Sequence, residues 1–345
     1  MLKPLVFWKR GTVMLAALAL WNSPVRAALP ELPTSAVVAD SFLVVHVDGS
    51  KIDSASLDQS VQVILGPAAG SVAPKLQMFK DELKEMTEAG AESLTVVASG
   101  DPKAAEPAVT GFVKLKPGTD HAAFQQKMRD EQAKEAQAAG GKTPEMDIKD
   151  DGDFVIVRDK NSPVSEAAAD PDRAKKFAAA FPELNKPLGI VFIPTDKIRD
   201  KMKDDISHDQ GEPAWVAQIS KSVAECQNVS LGVSLGESPV LDLSLQGADE
   251  ESSKKLADAV DQAAQQLKAQ ADQMKQAGVQ FAAMATSMSD LADGLKPKQE
   301  GAKVSIEVQG KVLGPALSNM LPMMLHTAGP GQAPGKAAPG STGGL

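Results

Sequence analysis

The stretch that decides the fold runs from Asp249 to Leu295 and reads DEESSKKLADAVDQAAQQLKAQADQMKQAGVQFAAMATSMSDLADGL. Apolar and small residues recur in it at alternating steps of four and three, the spacing that keeps one stripe of a helix turned toward a packing partner. Large side chains alternate with Ala or Gly along this stripe, which comprises Val260, Ala264, Leu267, Ala271, Met274, Gly278, Phe281, Ala285, Met288, Ala292 and Leu295. The pattern predicts one very long amphipathic helix over about residues 249–295.

A helix of this length needs a packing partner that covers its apolar stripe. At 1.5 Å per residue it would span roughly 65–70 Å, about twice the width of a small domain. It must project beyond its own core, pair with another surface, or fold back near Gly278. One interpretation is that the stripe packs on the protein's own sheet and then on its C-terminal helix.

The other interpretation is that the part after Gly278 docks a second protein or a second copy of the chain. Methionine side chains adapt to irregular apolar partners, which favours such a role. The residues that we expect at this docking surface are Phe281, Met284, Met288, Leu295, Met320 and Met324.

The N-terminal segment has the pattern of a signal peptide. Lys3, Lys9 and Arg10 precede an apolar run over residues 12–21 that is short for a membrane span, and small residues occupy the two positions read by a signal peptidase before Ala28. We therefore expect cleavage after Ala27, export to the periplasm or the exterior, and no integral membrane span in the mature chain.

Charge and composition limit the partners. The 345-residue chain carries a formal charge of −9, which becomes −13 once residues 1–27, with four basic residues and no acids, are removed. This charge repels nucleic acid and anionic membranes, so we expect neither as a partner. The single cysteine, Cys226, excludes an intramolecular disulfide and is predicted to be a small buried hydrophobe.

Strand and helix signals alternate in an order that repeats in the two halves of the chain. Each half reads as strand, helix, two strands, polar helix, strand and helix, which is the β-α-β-β-α-β order of a ferredoxin-like sheet. The sequence thus predicts an α+β protein of two pseudo-repeated ferredoxin-like lobes, the second of which contains the long helix. A chance resemblance between ordinary α+β segments is the alternative.

Domain boundaries follow from this pattern. After the signal peptide we place a first lobe at 28–160, a helical connector at 161–187 and a second lobe at 188–326. Residues 327–345 are rich in Gly and Pro and are predicted to be a disordered tail.

Short motifs that suggest chemistry fail on their context. Residues 136–143 (AQAAGGKT) fit a relaxed phosphate-loop pattern, but a helix precedes them and Pro144 follows, whereas the loop needs a strand before it and a helix after it. The Ser-x-x-Lys spacing at 252–255 lies in the first turn of the long helix and lacks its companion motifs. No cofactor-binding motif remains, so we predict no cofactor.

Two groups of polar residues leave weaker possibilities open. Four carboxylates near a Gly turn suggest weak calcium binding but do not have the spacing of an EF-hand loop: Asp147, Asp150, Asp151 and Asp153. The histidines, none at metal-ligand spacing from another, are His46, His121, His208 and His326. A catalytic triad assembled in space needs no sequence proximity and stays open.

We conclude from the sequence that the chain is an exported, non-enzymatic binding or structural protein. It is expected to dock a protein partner or an apolar ligand through the long helix or a cleft between the lobes. The alternative is an extracytoplasmic hydrolase whose site is dispersed across both lobes. A cleft in which a histidine, a hydroxyl or carboxylate and an orienting group converge would distinguish it.

Overall fold

The computed structural model describes residues 37–66, 69–100, 107–138, 145–160, 168–180, 186–208, 221–278 and 281–315. The predicted signal peptide and C-terminal tail lie outside these ranges. The described strands form one ten-stranded sheet in which every neighbouring pair is antiparallel. The strands are β1 (Ser41–Asp48), β2 (Ala91–Ser99), β3 (Ala108–Leu115), β4 (Met146–Asp151), β5 (Phe154–Asp159), β6 (Leu188–Phe192), β7 (Asn228–Ser234), β8 (Val240–Gln246), β9 (Lys298–Glu300) and β10 (Lys303–Gln309).

The helices connect these strands and cover the sheet, and the α+β class predicted from the sequence is confirmed. A 3-10 turn at Gly49–Lys51 follows β1. Shorter helical pieces occupy residues 221–225 and 310–315. The α-helices are α1 (Ser54–Leu65), α2 (Ala69–Glu88), α3 (His121–Ala138), α4 (Pro171–Ala180), α5 (Asp196–His208), α6 (Glu250–Ala277) and α7 (Ala282–Gly294).

The strand order is β4-β5-β3-β2-β1-β6-β7-β8-β10-β9, so the sheet reads the same outward in both directions from its central β1–β6 pair. The predicted ferredoxin-like lobes are not confirmed. In a β-α-β unit a single helix returns the chain to its starting end, which makes the two strands parallel. Here two helices, α1 and α2, lie between β1 and β2. The first leads the chain away from the end of β1 and the second leads it back, so β2 starts beside the end of β1 and pairs with it antiparallel.

The two halves are joined strand to strand. Val45 of β1 pairs with Ile190 of β6 in the middle of a five-residue register. The line between the predicted lobes is therefore a continuous β-ladder along these strands rather than an open cleft. The segment predicted as a connector contains α4, whose Phe177 is fully buried against the sheet.

The two faces of the sheet are covered differently. Apolar residues of α1, α2, α3, α6 and α7 pack on one face, which we call the helical face. Side chains alternate along a strand, so Val45 belongs to the helical face and Val44 to the opposite one. On that opposite face Phe177 of α4 packs in a cluster with Val44, and Arg173 donates to the carbonyls of Ser41 and Ile193.

The outermost strands protect the sheet edges. At one edge β4 (MDIKDD) has charged side chains at four of its six positions, and at the other edge β9 (KQE) is short and exposed. Charged or very short edge strands discourage pairing with the strand of another molecule. Edge-to-edge addition is therefore disfavoured as a way for this chain to bind a partner.

The predicted single helix over 249–295 is wrong, because the chain folds back at Gly278. α6 ends at Ala277, and Gly278 has φ 141° and ψ 163°, a conformation that a residue with a side chain rarely adopts. α7 then runs back against α6. The predicted start of the helix is confirmed, since the Asp249 carboxylate caps it by accepting from the Ser252 N–H.

The alternation of large and small side chains explains why the chain can fold back here. Ala263 and Ala271 of α6 and Ala285 and Ala292 of α7 are buried, and their small side chains allow the two helix backbones to approach closely. Leu267, one helical turn from both Ala263 and Ala271, is buried as well. The two halves of one predicted stripe thus become the two sides of a single contact, which we call the helical hairpin (α6 and α7).

Candidate functional site

The helical hairpin projects beyond the end of the sheet. At its base, Gln299 of β9 donates to the carbonyl of Glu250, the first residue of α6. At the far end of β10, Gly294, the last residue of α7, packs beside Val308 and Val312. The turn of the hairpin lies 13 helical residues further on, or about 20 Å at 1.5 Å per residue.

The projecting end carries an unusual surface. Phe281 is 37% exposed and stands out among the described residues as a large hydrophobic side chain open to water. Ala282, Ala283 and Thr286 beside it are exposed as well. The sequence has no charged residue from position 276 to 289, whereas 23% of the whole chain is charged. We call the described residues of this stretch the hairpin tip.

Charged groups flank the hairpin tip on both helices: Lys275 and Asp272 form a pair near the end of α6, and Asp290 is the first charged residue on α7. Lys268 Nζ lies 2.7 Å from Asp293 Oδ1, which links α6 to α7. An open notch of about 630 Å³ follows, lined among others by Asp290, Lys296, Lys298, Glu307 and Lys311. Because cationic and anionic groups alternate around the notch, its charge favours neither an anion nor a cation.

The six residues expected from the sequence at a docking surface are separated by the structure. Phe281 lies exposed at the hairpin tip, and Met284 and Met288 are half-buried on α7. Leu295 is half-buried and packs against the core of the second half of the sheet, which makes it a support for the hairpin base. Met320 and Met324 lie outside the described residues.

The possible calcium residues do not converge. Asp147 is paired with Lys149 at 2.8 Å and with Arg158 at 3.1 Å, while Asp150 contacts His121 Nδ1 at 2.7 Å. Each of these two carboxylates thus has its own cationic or imidazole partner. No group of three or more His, Cys, Asp or Glu side chains in the described ranges is arranged to hold a metal ion.

A histidine and a hydroxyl meet on the opposite face of the sheet. They are relevant because the sequence left open a catalytic triad assembled in space. His46 Nδ1 lies 2.9 Å from Thr95 Oγ1. Burial lowers the pKa of His46 from 6.5 to about 4, so its imidazole is neutral at pH 7. His46 is only 9% exposed and Thr95 only 3%, so this pair holds β1 to β2 and has little surface with which to meet a substrate.

A lysine and a serine form the second such pair. Lys186 Nζ donates to Ser234 Oγ at 2.7 Å and lies 2.9 Å from Asp242 Oδ2 at an ion-pair distance. A hydrolase of the serine–lysine type needs the amine to accept the proton of the hydroxyl. Here the Lys186 amine also lies beside the Asp242 carboxylate, and the three side chains tie the start of β6 to β7 and β8.

Cys226 is a core residue, as the sequence predicts. Its side chain is fully buried among apolar residues at the end of the α6 cluster, and its Sγ donates weakly to the Ser222 carbonyl. Burial raises the pKa of the thiol to about 12. Since the thiolate is the reactive form, Cys226 is inert in the folded protein.

Comparisons with known proteins give no relative from which a function could be carried over. No protein-family model matches the chain, and no curated protein or solved structure is similar to it. Among the helices that the structure describes, none combines the length and the apolar character needed to cross a bilayer.

Proposed function

We propose that this chain is an exported protein that works by binding another protein through the hairpin tip, without catalysis. The observation that carries the proposal is the exposure of Phe281 within a stretch, residues 276–289, that has no charged residue. An apolar side chain in water has a free-energy cost that a partner removes by covering it; for the exposed third of Phe281 this is roughly 0.5–1 kcal/mol.

The difference between the two halves of the chain also supports this role. Between β3 and β4 the chain crosses the sheet with one helix, α3, whereas the corresponding crossing between β8 and β9 is the helical hairpin. The hairpin makes the same net crossing and adds the projecting end. We infer that the halves are an internal repeat, without the ferredoxin-like strand order, and that the projection is the functional addition to the second half.

The surface of the tip defines the chemistry of the partner. Small exposed side chains at Ala282, Ala283 and Thr286 permit close approach of a helix or the wall of a groove beside the Phe281 ring. Because residues 276–289 carry no charge, a partner that covers them does not have to remove a charged side chain from water. The partner is therefore a protein with an apolar helix or groove, bound in a helix-to-helix or helix-in-groove mode.

Site-specific photo-crosslinking tests the proposal in cells of the protein's source. A benzophenone amino acid replaces Ala283 at the tip or, as a matched control, the equally exposed Ala133 of α3. We expect one discrete adduct from position 283, its loss in a second variant that also carries Phe281→Asp, and no such adduct from position 133. The adduct partner, once purified, must bind the unsubstituted chain and not Phe281→Asp.

Three other outcomes of the photo-crosslinking experiment contradict the proposal. An adduct of twice the chain's own mass assigns the tip to self-association, and a crosslink to lipid assigns it to a membrane surface. The absence of any adduct at 283, with Phe281→Asp as stable as the unsubstituted chain, removes the docking role. Export is tested separately by the mass of the protein isolated from those cells, which we expect to begin at Ala28.

A further inference from the structure

Strand β9 protects only part of its sheet edge, because it reaches only to the middle of β10. It pairs with β10 as far as Ser305, whereas β8 pairs with β10 to Gln309. Ahead of β9, the N–H of Lys296 bonds to the carbonyl of Gly294 at the end of α7 instead of to β10. In the part of the chain that the structure describes, residues 306–309 of β10 therefore have no strand on this side.

Backbone groups of this uncovered part of β10 face outward. Along a strand, the N–H and C=O of one residue point to one side and those of the next residue to the other. At the two ends of β10, the Ala302 carbonyl and the Gly310 N–H both bond to residues next to β8. By this alternation, the N–H groups of Glu307 and Gln309 and the Glu307 carbonyl point away from β8. Two donors and one acceptor thus stand along the edge at the spacing that a further strand requires.

The notch lies beside these groups. Its lining includes Gly294, Lys296 and Lys298 from the end of α7 and the start of β9, and Glu307 and Gln309 from β10. Four residues of a strand extend about 13 Å, at 3.2–3.4 Å per residue. An extended segment of that length, placed in the notch of about 630 Å³, continues the line of β9 along β10.

Although the notch as a whole favours neither sign of charge, its lysines indicate the direction in which such a segment runs. Lys296 and Lys298 are exposed where β9 begins, and the Asp293 carboxylate, which also lines the notch, is paired with Lys268. A segment antiparallel to β10, as β9 is, has its C-terminal end beside these two lysines. A parallel segment that begins there would bring a positively charged N-terminus instead. The two ammonium groups therefore favour the free carboxylate of an antiparallel segment.

We propose that the notch binds the extended C-terminal segment of another protein, which pairs with Glu307–Gln309 of β10 and ends beside Lys296 and Lys298. The last residue of the segment lies opposite Glu307. Its carboxylate accepts from the Glu307 N–H, and its own N–H donates to the Glu307 carbonyl. In strand addition, main-chain hydrogen bonds of this kind supply the affinity. The notch is at the opposite end of α7 from the hairpin tip, so the proposal does not depend on binding there.

Peptide selection on the full-length chain tests the site. The probe is a phage library that displays random heptapeptides with free C-termini, and a selected peptide is synthesised as the acid and as the C-terminal amide. We expect amidation to weaken binding about tenfold or more, because the amide has no charge for the lysines. A library without a binder, or equal binding of the acid and the amide, overturns the proposal.

Hydrogen exchange locates the bound peptide. Residues 303–310, followed by mass spectrometry, should exchange their uncovered amide hydrogens more slowly when the peptide acid is present, because the outward N–H groups of Glu307 and Gln309 are then bonded. Slower exchange confined to the hairpin tip assigns the peptide to the tip and overturns the proposal. Slower exchange at residues 303–310 leaves binding at the tip to be decided by the photo-crosslinking experiment, so the two proposals fail separately.

Methylation of the peptide nitrogens tests strand addition without any change in the protein. An N-methyl group on the last residue removes the N–H that donates to the Glu307 carbonyl and should weaken binding about tenfold or more. The N–H of the penultimate residue points away from β10, so its methylation should have a much smaller effect. Equal effects at the two positions contradict a strand paired with β10.

Matched variants of the chain separate the contribution of the backbone from that of the lysines. Gln309→Pro removes an N–H that faces the notch and no bond to β8, so it should bind the peptide more weakly than Gln309→Ala, which keeps this N–H. Lys296→Gln with Lys298→Gln should abolish the preference for the acid over the amide. Lys75→Gln with Lys84→Gln, both exposed on α2, removes the same charge elsewhere and should retain it.

The proposal is overturned if Gln309→Pro binds as tightly as Gln309→Ala, or if the variant without Lys296 and Lys298 still prefers the acid. Should Gln309→Pro fail to fold, the comparison of the two N-methylated peptides decides whether the backbone of β10 is used.

Discussion

Lys268 on α6 and Asp293 on α7 are 25 positions apart in the sequence, yet Lys268 Nζ lies 2.7 Å from Asp293 Oδ1. In one continuous helix these residues would stand about 38 Å apart at 1.5 Å per residue. The pair is solvent-exposed and so contributes little to stability. The pair instead reports geometry: it shows that α7 lies against α6, so that the uncharged tip is at the far end of the hairpin.

The turn at Gly278 predicts opposite effects of the same substitution at two glycines. Gly278→Ala should lower the free energy of unfolding by about 1–3 kcal/mol, because alanine is strained at its positive φ. Gly70 is helical and exposed in α2, where an added Cβ would meet open space, so Gly70→Ala should raise it by up to about 1 kcal/mol. Urea unfolding of both variants measures the difference.

If residues 249–295 formed a single unbroken helix, Gly278→Ala would raise the free energy of unfolding instead of lowering it. There the alanine would be favoured over glycine by about 1 kcal/mol, as at Gly70. Stabilisation by Gly278→Ala would therefore contradict the fold-back.

Two apolar residues of the hairpin should differ in their effect on stability. Leu267 is only 4% exposed, so Leu267→Ala should lower the free energy of unfolding by about 2–5 kcal/mol. Phe281→Ala should lower it less, by about 1–2 kcal/mol, because more than a third of the residue is already open to water. Chemical denaturation distinguishes them, and a large loss with Phe281→Ala would show that the ring supports the fold.

His46 makes stability depend on pH between 6.5 and 4. Burial lowers its pKa to about 4 in the folded protein, while the unfolded chain binds the proton with an ordinary pKa near 6.5. Its contribution is therefore fully present above pH 6.5 and is lost as the pH falls toward 4, by about 3 kcal/mol in all.

Replacement of the histidine checks this sign. His46→Gln keeps a polar group near Thr95 and should flatten the fall in the free energy of unfolding across this pH range. His121→Gln, which removes the more exposed imidazole beside Asp150, is the control and should retain the fall. Equal slopes for His46→Gln and the unsubstituted protein would count against a buried, neutral His46.

The buried thiol gives a simple probe of the native state. Because burial raises the pKa of Cys226 to about 12, a disulfide reagent at pH 8 should leave the folded chain unmodified. The same reagent should label one thiol per chain in denaturant. Rapid stoichiometric labelling of the folded protein would show that the cluster around Cys226 opens.

The sequence was most informative where local signals act alone. The start of α6 at Asp249 and the burial of Cys226 were predicted, because a helix start and the apolar character of a lone cysteine are indicated by a few neighbouring residues. Strand β9 has no such signal, since its three residues, KQE, are all exposed and have no apolar pattern.

The larger errors came from features that depend on contacts distant in sequence. Two helices, α1 and α2, lie between β1 and β2 where the repeated pattern has one, and the second helix changes the two strands from a parallel to an antiparallel relation. The stripe of α6 continues in phase through Gly278 into α7, so periodicity favoured one helix, and folding back near Gly278 was only one of three alternatives. The exposure of Phe281 follows from that turn and was predictable only as one of several alternatives.

Residues 250–294 form a closed hairpin, and the binding role proposed for its tip depends on this closure. The most direct measurement is the distance between spin labels placed at the exposed positions Lys268→Cys and Asp293→Cys in the full-length protein. We expect one short distance, within about 20 Å once the label arms are included, against about 38 Å for a straight helix. A distribution centred near the longer value would contradict it.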